Sequence, residues 1–305
     1  MDEHRPPICD YEGSDYQTRF WEEANREYED RAEQIALQRL LPSGGVRLLE
    51  IGAGAGRNTP RYHNFEQIIL LDYSLTQLQQ ARERLGENQR LTYVAGNAYR
   101  LPFTTGVFDC ATMIRTLHHI ADVPAVFQQI QRVLADQGEF ILEFANKKHL
   151  KAIGRYLLGL QDWNPFSLQP VEFVELNFDF HPRYIERELE KAGFEINRRL
   201  SVSHFRLDLL KRLIPPALLA RLDGMLQHTG RWWLLSPSVF MHNTALGDES
   251  AQSATANMTS LFQCPNCGHH PLQDETNHLL CPGCNTAWPI HNGIYDFREK
   301  DLHPE

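Results

Sequence analysis

Short apolar runs alternate with segments of helical periodicity along most of the chain. The apolar runs predict strands at 46–51, 67–72, 91–96, 107–114, 138–144, 194–202 and 238–245. Helical spacing predicts helices at 18–41, 78–85, 147–160, 183–192 and 205–227, with one more after 122. Ser74 and Asp122 stand where helix N-caps are expected. Because the strands are apolar throughout and alternate with helices, we expect an α/β fold with a parallel sheet covered on both faces.

Length and composition predict two domains. The chain has 305 residues, 42% of them hydrophobic, and a domain takes roughly 100–200 residues. Residues 246–260 are almost all small or polar, which predicts a flexible linker. We therefore expect one domain at 1–245 and a second at 261–305. No apolar stretch approaches the ~20 residues that a membrane span needs, and the N-terminus lacks a signal-peptide pattern, so we expect a cytoplasmic protein with no membrane partner.

The formal net charge of −9 argues against a broad, non-specific nucleic-acid binder. The charge is unevenly distributed, because residues 246–305 carry −6 of it and residues 1–245 only −3. An anionic partner for the first domain therefore stays compatible with the sequence.

A glycine-rich turn follows the first predicted strand and precedes a predicted helix. Gly52, Gly54 and Gly56 allow the backbone of this turn to approach a ligand beside a helix N-terminus. Asp72 ends the second predicted strand, at the spacing from which a carboxylate accepts hydrogen bonds from the ribose of an adenosine. Together these residues predict a cofactor that contains adenosine.

The spacing of the glycines favours one cofactor over another. The dinucleotide fingerprint G-x-G-x-x-G places a third glycine where this chain has Arg57. Here the pattern is G-x-G-x-G with Glu50 two residues before it, which resembles the first motif of class I S-adenosylmethionine (SAM)-dependent methyltransferases. Further segments resemble later motifs of that family over about 45–146; they are GNAYRLPF at 96–103, LHH at 117–119 and RVL before GEF at 132–140.

The resemblance implies a Rossmann-like, doubly wound, seven-stranded sheet with an antiparallel last hairpin, and SAM as cofactor. It also implies a set of cofactor contacts: Glu50, Gly52 and Gly54 at the methionine end, Asp72 on the ribose, Tyr73 near the adenine, and Asn97 and Ala98 at its edge. The family usually has Asp where Asn97 stands. The amide carbonyl still accepts a hydrogen bond from the adenine amino group, but without the charge.

Catalytic residues stay unassigned at this level. Methyl transfer from a sulfonium is an in-line displacement, and it needs a general base only when the attacking atom is protonated. Arg115, His118 and His119 are candidates, because they follow the fourth predicted strand. The alternatives are a solvated arginine and loop histidines bonded to backbone. Tyr11 and Tyr16 are candidates for closing over the pocket, with ordinary packing as the alternative.

We call residues 147–235 the cover. The resemblance implies that this segment lies over the substrate, as the corresponding segment usually does in methyltransferases of this class. This segment is rich in aromatic residues, including Trp163, Trp232 and Trp233, and contains a basic run that begins at Lys147. It reads either as a solvated helical face over an aromatic core or as a pocket for an apolar or anionic substrate, RNA phosphate included.

Two C-x-x-C pairs lie in the tail, residues 261–305. Cys264, Cys267, Cys281 and Cys284 are separated by 13 residues between the pairs, which is typical of a structural zinc site with four thiolates. A tail of about 45 residues has too little apolar surface to fold on burial alone, so zinc is expected to stabilise it. His269 and His270 are expected to be bystanders, since the cysteine set is complete.

The tail also contains the segment WPIHNGIY at 288–295. It resembles the "Y-P-I-x-D-G-I-P" ending of the small zinc-ribbon proteins that activate tRNA, rRNA and release-factor methyltransferases, with Asn292 for the usual Asp and Tyr295 for the usual Pro. The resemblance implies a C-terminal zinc ribbon that docks on its own methyltransferase domain or recruits a partner.

Three functions remain open from the sequence. The first is a methyltransferase that acts on a small organic molecule, favoured by the aromatic cover. The second is a methyltransferase that acts on tRNA, rRNA or a translation protein, favoured by the activator-like ribbon. The third is a catalytically silent scaffold that binds SAM or nucleic acid, motivated by Asn97 and by the absence of an evident base.

Overall fold

The computed structural model describes residues 6–9, 12–13, 26–247 and 258–298. Within these ranges, α-helices run over Glu27–Leu40 (α1), Leu75–Leu85 (α2), Val123–Val133 (α3), Leu150–Leu157 (α4), Pro182–Lys191 (α5), Asp208–Leu213 (α6) and Pro216–Leu226 (α7). Strands run over Gly45–Ile51 (β1), Phe65–Asp72 (β2), Leu91–Ala95 (β3), Phe108–Met113 (β4), Leu134–Ala145 (β5), Val171–Val174 (β6), Asn177–Asp179 (β7), Phe194–Val202 (β8), Ser238–Ala245 (β9), Gln273–Asp274 (β10), His278–Leu280 (β11), Ala287–His291 (β12) and Ile294–Asp296 (β13). Tyr11, Tyr16, residues 18–25 of the expected leading helix and most of the expected linker lie outside the described residues.

The predicted seven-stranded sheet is confirmed, with strand order β3-β2-β1-β4-β5-β9-β8. The first five of these strands are parallel, and β9 pairs antiparallel with both β5 and β8. The order reverses between β1 and β4, and ligands bind at such switch points in open α/β sheets. The sheet also continues beyond β3, because β13 pairs parallel with β3 and is followed outward by β12, β11 and β10.

Burial on both faces explains why the strands are apolar throughout. The neighbouring residues Leu48 and Leu49 of β1 are both fully buried, yet they belong to two different hydrophobic clusters, one on each face of the sheet. Ile68 and Ile69 of β2 divide in the same way. A strand with this pattern needs a helical layer on either side.

The predicted caps are present. The Ser74 hydroxyl accepts a hydrogen bond from the Gln77 N–H at 3.2 Å, and the Asp122 carboxylate accepts one from the Ala125 N–H at 3.1 Å. The predicted helix at 205–227 is two helices, α6 and α7. Pro215 and Pro216 lie at the break, where proline lacks the N–H that a continuous helix requires.

The helix expected after the glycine-rich turn and the bounds of β5 also differ from the prediction. That helix is a single 3₁₀ turn over Thr59–Arg61. Strand β5 begins at Leu134, directly after α3, instead of at 138. Gln137, within β5, adopts φ 59°, a conformation typical of turns. The polar residues around it are also typical of a turn, so the sequence did not predict the first part of this strand.

No helix in the described ranges has both the length and the apolar character that crossing a membrane requires.

Candidate functional site

A cavity opens at the carboxyl ends of β1 to β4. Its walls include six of the seven residues that the sequence proposes for the cofactor: Gly52, Gly54, Asp72, Tyr73, Asn97 and Ala98. The walls also include residues that the sequence did not single out, among them Ile8, Cys9, Gln77, Tyr99, Thr116 and Ile120. Of the catalytic candidates, Arg115 and His119 line the cavity.

The glycine loop bends sharply at the floor of this cavity. Gly52 has φ +69°, and a Cβ on it would lie 2.1 Å from the Thr116 hydroxyl oxygen, so a larger residue does not fit. Gly54 has φ +52°, and a Cβ built on it would meet only the Gln77 side-chain oxygen within 4 Å, at 3.8 Å. The Cβ side of Gly54 therefore faces open space, as close approach to a ligand requires.

Asp72 is fixed at the cavity wall by backbone donors. One carboxylate oxygen accepts a hydrogen bond from the Gly54 N–H at 2.8 Å, and the other accepts one from the Ser74 N–H at 3.0 Å. These bonds hold the carboxylate between the glycine loop and the start of α2. An ionised carboxylate has about four acceptor positions, which is the kind of group that binds ribose hydroxyls.

Glu50 is buried on β1, and the described residues that line the cavity do not include it. Its Oε2 accepts a hydrogen bond from the Thr59 hydroxyl at 2.6 Å. Burial raises the pKa of Glu50 to about 7, against the opposing effects of the Thr59 hydrogen bond and of Arg57.

Asn97 organises the loop beyond β3. Its side-chain oxygen accepts a hydrogen bond from the Tyr99 N–H at 2.9 Å. The Tyr99 hydroxyl in turn accepts from the backbone N–H groups of Ala121 and Asp122, at 2.9 and 3.3 Å, and so ties the loop to the start of α3. The amide that replaces the usual carboxylate thus keeps a turn-forming role.

Arg115 is held in a buried ion-pair network. Its side chain donates to Glu33 on α1, and its backbone N–H donates to Glu143 on β5 at 3.0 Å. Burial alone raises the pKa of Glu33, but Arg115 and Arg57 outweigh that effect and lower it to about 2. The Arg115 charge therefore has an internal partner, and Arg115 is not a simple solvated arginine.

The two histidines after β4 lie against each other, with ring centroids 3.9 Å apart. Burial lowers the pKa of both imidazoles, so both are neutral at pH 7. Nδ1 of His119 lies 3.0 Å from the Leu176 carbonyl oxygen, an acceptor, so Nδ1 carries the proton and Nε2 is the basic nitrogen.

The β6–β7 hairpin that supplies the Leu176 carbonyl was not predicted. Its sequence, VEFVELNFD at 171–179, alternates apolar and polar residues except at Phe173–Val174, and this alternation is the signal that would have found it. Phe180, just after β7, donates its N–H to the Ala145 carbonyl at 2.9 Å. The hairpin therefore lies against the carboxyl ends of β4 and β5, beside the cavity.

The four tail cysteines come together as the sequence predicts. Their sulfur atoms all lie within 4.8 Å of one another. Each C-x-x-C pair forms a matching turn, closed by a hydrogen bond to the carbonyl of its first cysteine, from the N–H of Gly268 in one and of Asn285 in the other. Both of these residues have positive φ, 73° and 56°.

The sulfur positions suit one tetrahedral zinc ion. Cys264 and Cys284 have their sulfurs 3.6 Å apart, and Cys267 and Cys281 have theirs 3.5 Å apart. Zinc–sulfur bonds of about 2.3 Å in tetrahedral geometry put sulfurs about 3.8 Å apart. Within the described residues, the group that could hold a metal consists of these four cysteines and excludes His269 and His270.

Sequence and fold comparisons connect this geometry to known proteins. A family model described as a methyltransferase domain matches residues 49–142. A ubiquinone/menaquinone biosynthesis C-methyltransferase of Shewanella frigidimarina is 30% identical over 173 residues, which are 50% of this chain and 67% of that protein. The chain belongs to the SAM-dependent methyltransferases. The ubiquinone/menaquinone biosynthesis C-methyltransferase of Legionella pneumophila strain Corby is 27% identical over 183 residues, covering 53% of this methyltransferase and 70% of that protein.

Solved structures agree with the fold of this methyltransferase. A SAM-dependent methyltransferase described as putative, from Listeria monocytogenes, has a TM-score of 0.52 at 18% identity, covering 72% of this chain and 99% of that one. The complex between the Haloferax volcanii Trm112 methyltransferase activator and its methyltransferase gives a TM-score of 0.54 at 14% identity, covering 76% and 96%. At these identities the likeness concerns the fold alone.

The methyltransferase therefore uses SAM as its cofactor. The open Cβ side of Gly54 and the carboxylate of Asp72 at the cavity wall fit an adenosine-containing ligand.

Proposed function

We propose that the methyltransferase transfers the methyl group of SAM to an apolar small molecule held beneath the cover, residues 147–235. The observation that carries this proposal is the surface of that segment. Of the eighteen large hydrophobic side chains exposed in the described residues, sixteen lie in the cover. Leu157, Leu158, Trp232 and Trp233 are exposed by 73, 74, 69 and 67%. Concentrated exposed apolar residues mark binding surfaces rather than ordinary solvated helices.

The position of the cover supports the same acceptor. Its β6–β7 hairpin contacts the cavity-lining His119 through the Leu176 carbonyl. Lys147, just after β5, has its ammonium 5.9 Å from the centre of the Trp163 ring. A molecule bound beneath these elements meets the cofactor cavity at the carboxyl ends of β4 and β5. The Shewanella and Legionella relatives are named for ubiquinone and menaquinone biosynthesis, which is in keeping with an apolar acceptor.

We assign the cofactor contacts as the sequence predicts. Glu50, Gly52 and Gly54 serve the methionine end, Asp72 binds the ribose, and Tyr73, Asn97 and Ala98 bind the adenine. SAM supplies a methyl group on a positively charged sulfur. The residues of the chain hold the acceptor in line with that group and exclude water. Where the attacking atom carries a proton, Nε2 of His119 is positioned to accept it, because its Nδ1–H is committed to Leu176.

We further propose that residues 261–305 form a domain that binds one structural Zn²⁺ and docks on the methyltransferase domain, 1–245, with 246–260 as the linker. Strand β13 extends the sheet at β3, and the Phe297 N–H donates to the Ala95 carbonyl at 2.8 Å. The Phe262 ring stacks on Phe103 with centroids 5.8 Å apart. These contacts support docking within one chain.

The same ribbon supports the second candidate, a methyltransferase acting on tRNA, rRNA or a translation protein. The Haloferax structure pairs a methyltransferase with a Trm112 activator, and the tail resembles such activators in sequence. The apolar cover favours the small molecule over this candidate.

Tritiated SAM incubated with the protein and fractionated host extract tests the proposal. We expect label in the organic-soluble small-molecule fraction, and much less of it with Asp72→Ala at a SAM concentration that does not saturate the variant. Label in RNA or protein would support the second candidate instead. Absence of label from every fraction would favour a silent scaffold.

A further inference from the structure

Arg206 is a partly buried residue of the cover. Its Nε and Nη2 atoms are buried, and in the described part of the chain neither has a hydrogen-bond partner. Isolated buried charges are costly, and proteins normally pair them. Nε and Nη2 together form the side-on edge of the guanidinium, which binds a carboxylate through two parallel hydrogen bonds.

The loop that presents Arg206 is rigid. It follows β8, and the buried Asp223 accepts hydrogen bonds from the N–H groups of Ser203 and His204, at 3.3 and 2.7 Å. The Tyr28 hydroxyl donates to Asp223 at 2.8 Å and accepts from the Phe205 N–H at 2.9 Å. The backbone immediately before Arg206 is therefore anchored, which limits where its Nε–Nη2 edge can lie.

Arg206 interacts electrostatically with Arg115, Glu143, Glu33 and Glu29, and it influences Asp179 at the end of β7. Arg115 lines the cofactor cavity. These neighbours come from α1, the end of β4, β5 and the cover hairpin. Arg206 therefore lies near the cavity-lining Arg115, among residues of α1, β5 and the cover hairpin.

The nearby acids have other partners. Glu33 binds Arg57 and Arg115. Glu143 accepts from Ser238 and from the Arg115 N–H. Glu29 binds Lys211 through Oε1 at 3.0 Å, and its Oε2 is buried without a hydrogen-bond partner in the described residues.

Asp179 is the remaining acid, and burial raises its pKa to about 6. In the described residues, no ion pair within 4.0 Å joins it to Arg206.

We propose that Arg206 binds a carboxylate of the methyl acceptor side-on, so that the acceptor is an apolar carboxylic acid. The inference rests on the proposed apolar acceptor and narrows it. A monoanionic, planar group suits the two parallel N–H donors. The four carboxylates around Arg206 disfavour a doubly charged phosphate, because each added negative charge is repelled by them.

Calorimetry on the full chain loaded with S-adenosylhomocysteine (SAH) tests the inference with octanoate, octanol, octyl phosphate and acetate as probes. We expect octanoate to bind at least tenfold more tightly than the other three. Arg206→Gln should weaken octanoate binding at least tenfold and leave octanol unchanged. Arg187→Gln, at an exposed arginine of α5, is the matched control and should bind octanoate as wild type does.

Arg206→Lys provides a second variant that keeps the charge and loses the planar edge. It should also lose most octanoate affinity while its SAH affinity and melting temperature stay close to wild type. If Arg206→Gln does not fold, Arg206→Lys tests whether Arg206 binds the carboxylate. If Arg206 has only a structural role, its variants should be less stable than wild type but bind octanoate with unchanged affinity. That result would overturn the inference.

The remaining outcomes separate the inference from the function on which it rests. Octanol or octyl phosphate binding as tightly as octanoate, or no binding of octanoate, overturns the carboxylate site. Acetate binding as tightly as octanoate, with loss in Arg206→Gln, keeps the carboxylate site and contradicts the apolar acceptor.

Discussion

The guanidinium of Arg298, just after β13, lies 5.9 Å from the centre of the Tyr73 ring, which lines the cofactor cavity. Arg298 also binds Asp296 at 2.9 Å and Glu12 at 3.3 Å. Glu12 accepts hydrogen bonds from the first two N–H groups of α2. The end of the ribbon, the leading segment and the proposed adenine site thus share one contact cluster.

Replacing Arg298 by alanine is therefore expected to weaken SAH binding, although the residue lies outside the methyltransferase domain. Loss of a cation–π contact, worth about 0.5–2 kcal/mol, corresponds to a roughly 2- to 30-fold weaker affinity. Calorimetry measures the change, and zinc content should not fall. Arg84→Ala, at an exposed position of α2, is the control. Equal SAH affinity in both variants would show that the contact has no role in cofactor binding.

Removal of one cysteine ligand should release the metal and loosen the sheet edge. We expect about one zinc per chain in the wild type and loss of zinc in Cys281→Ser. The melting temperature should fall as it does when wild type is treated with a chelator, because β13 then no longer extends the sheet at β3. His269→Ala should retain its zinc. Full zinc content in Cys281→Ser would refute the site.

The buried carboxyl of Glu50 should make stability depend on pH. Its pKa in the folded protein is about 7, above that of an unfolded glutamate, because it is buried. The neutral form is favoured on folding, so its contribution is fully present below about pH 4.5 and is lost as the pH rises through 7. Glutamine does not ionise, so Glu50→Gln is free of this loss. The free energy of unfolding of Glu50→Gln minus that of wild type should therefore be about 2 kcal/mol larger at pH 8 than at pH 5.5. Denaturant titrations at the two pH values check this, and an equal difference at both would contradict it.

His119 and His118 should differ in their effect on turnover. His119 lines the cavity with Nε2 as its basic nitrogen, whereas His118 is not among the described cavity residues. If the attacking atom is protonated, His119→Gln should lower methyl incorporation about 10²- to 10⁴-fold with little change in SAH affinity. His118→Gln is the matched control. Equal incorporation in wild type and His119→Gln would remove His119 from the reaction.

Local signals predicted most of the fold. Ser74 and Asp122 cap helices at the positions where the sequence predicts N-caps. Leu48 and Leu49 are buried on opposite faces of the sheet, which explains why β1 is apolar throughout. The spacings of Gly52, Asp72 and the tail cysteines were the local signals for two sites. The structure places Gly52 and Asp72 in one cavity and brings the four cysteine sulfurs together.

What the sequence did not predict depends on long-range contacts. The residues just before Arg206 are held by Asp223 and by Tyr28 of α1, and Tyr28 is distant in the chain. The pairing of β13 with β3 joins residues about 200 positions apart, and no local pattern specifies it. Arg115 is an internal partner of Glu33 for the same reason.

Calorimetric titration of SAH into the wild type and Asp72→Ala tests the cofactor site most directly. We expect one SAH per wild-type chain and an affinity about 10- to 100-fold weaker in Asp72→Ala, because two charge-assisted hydrogen bonds to the ribose are lost. Asp162→Ala, at an exposed position of the cover, should bind as wild type does. Failure of the wild type to bind SAH, or undiminished affinity in Asp72→Ala, would contradict the account.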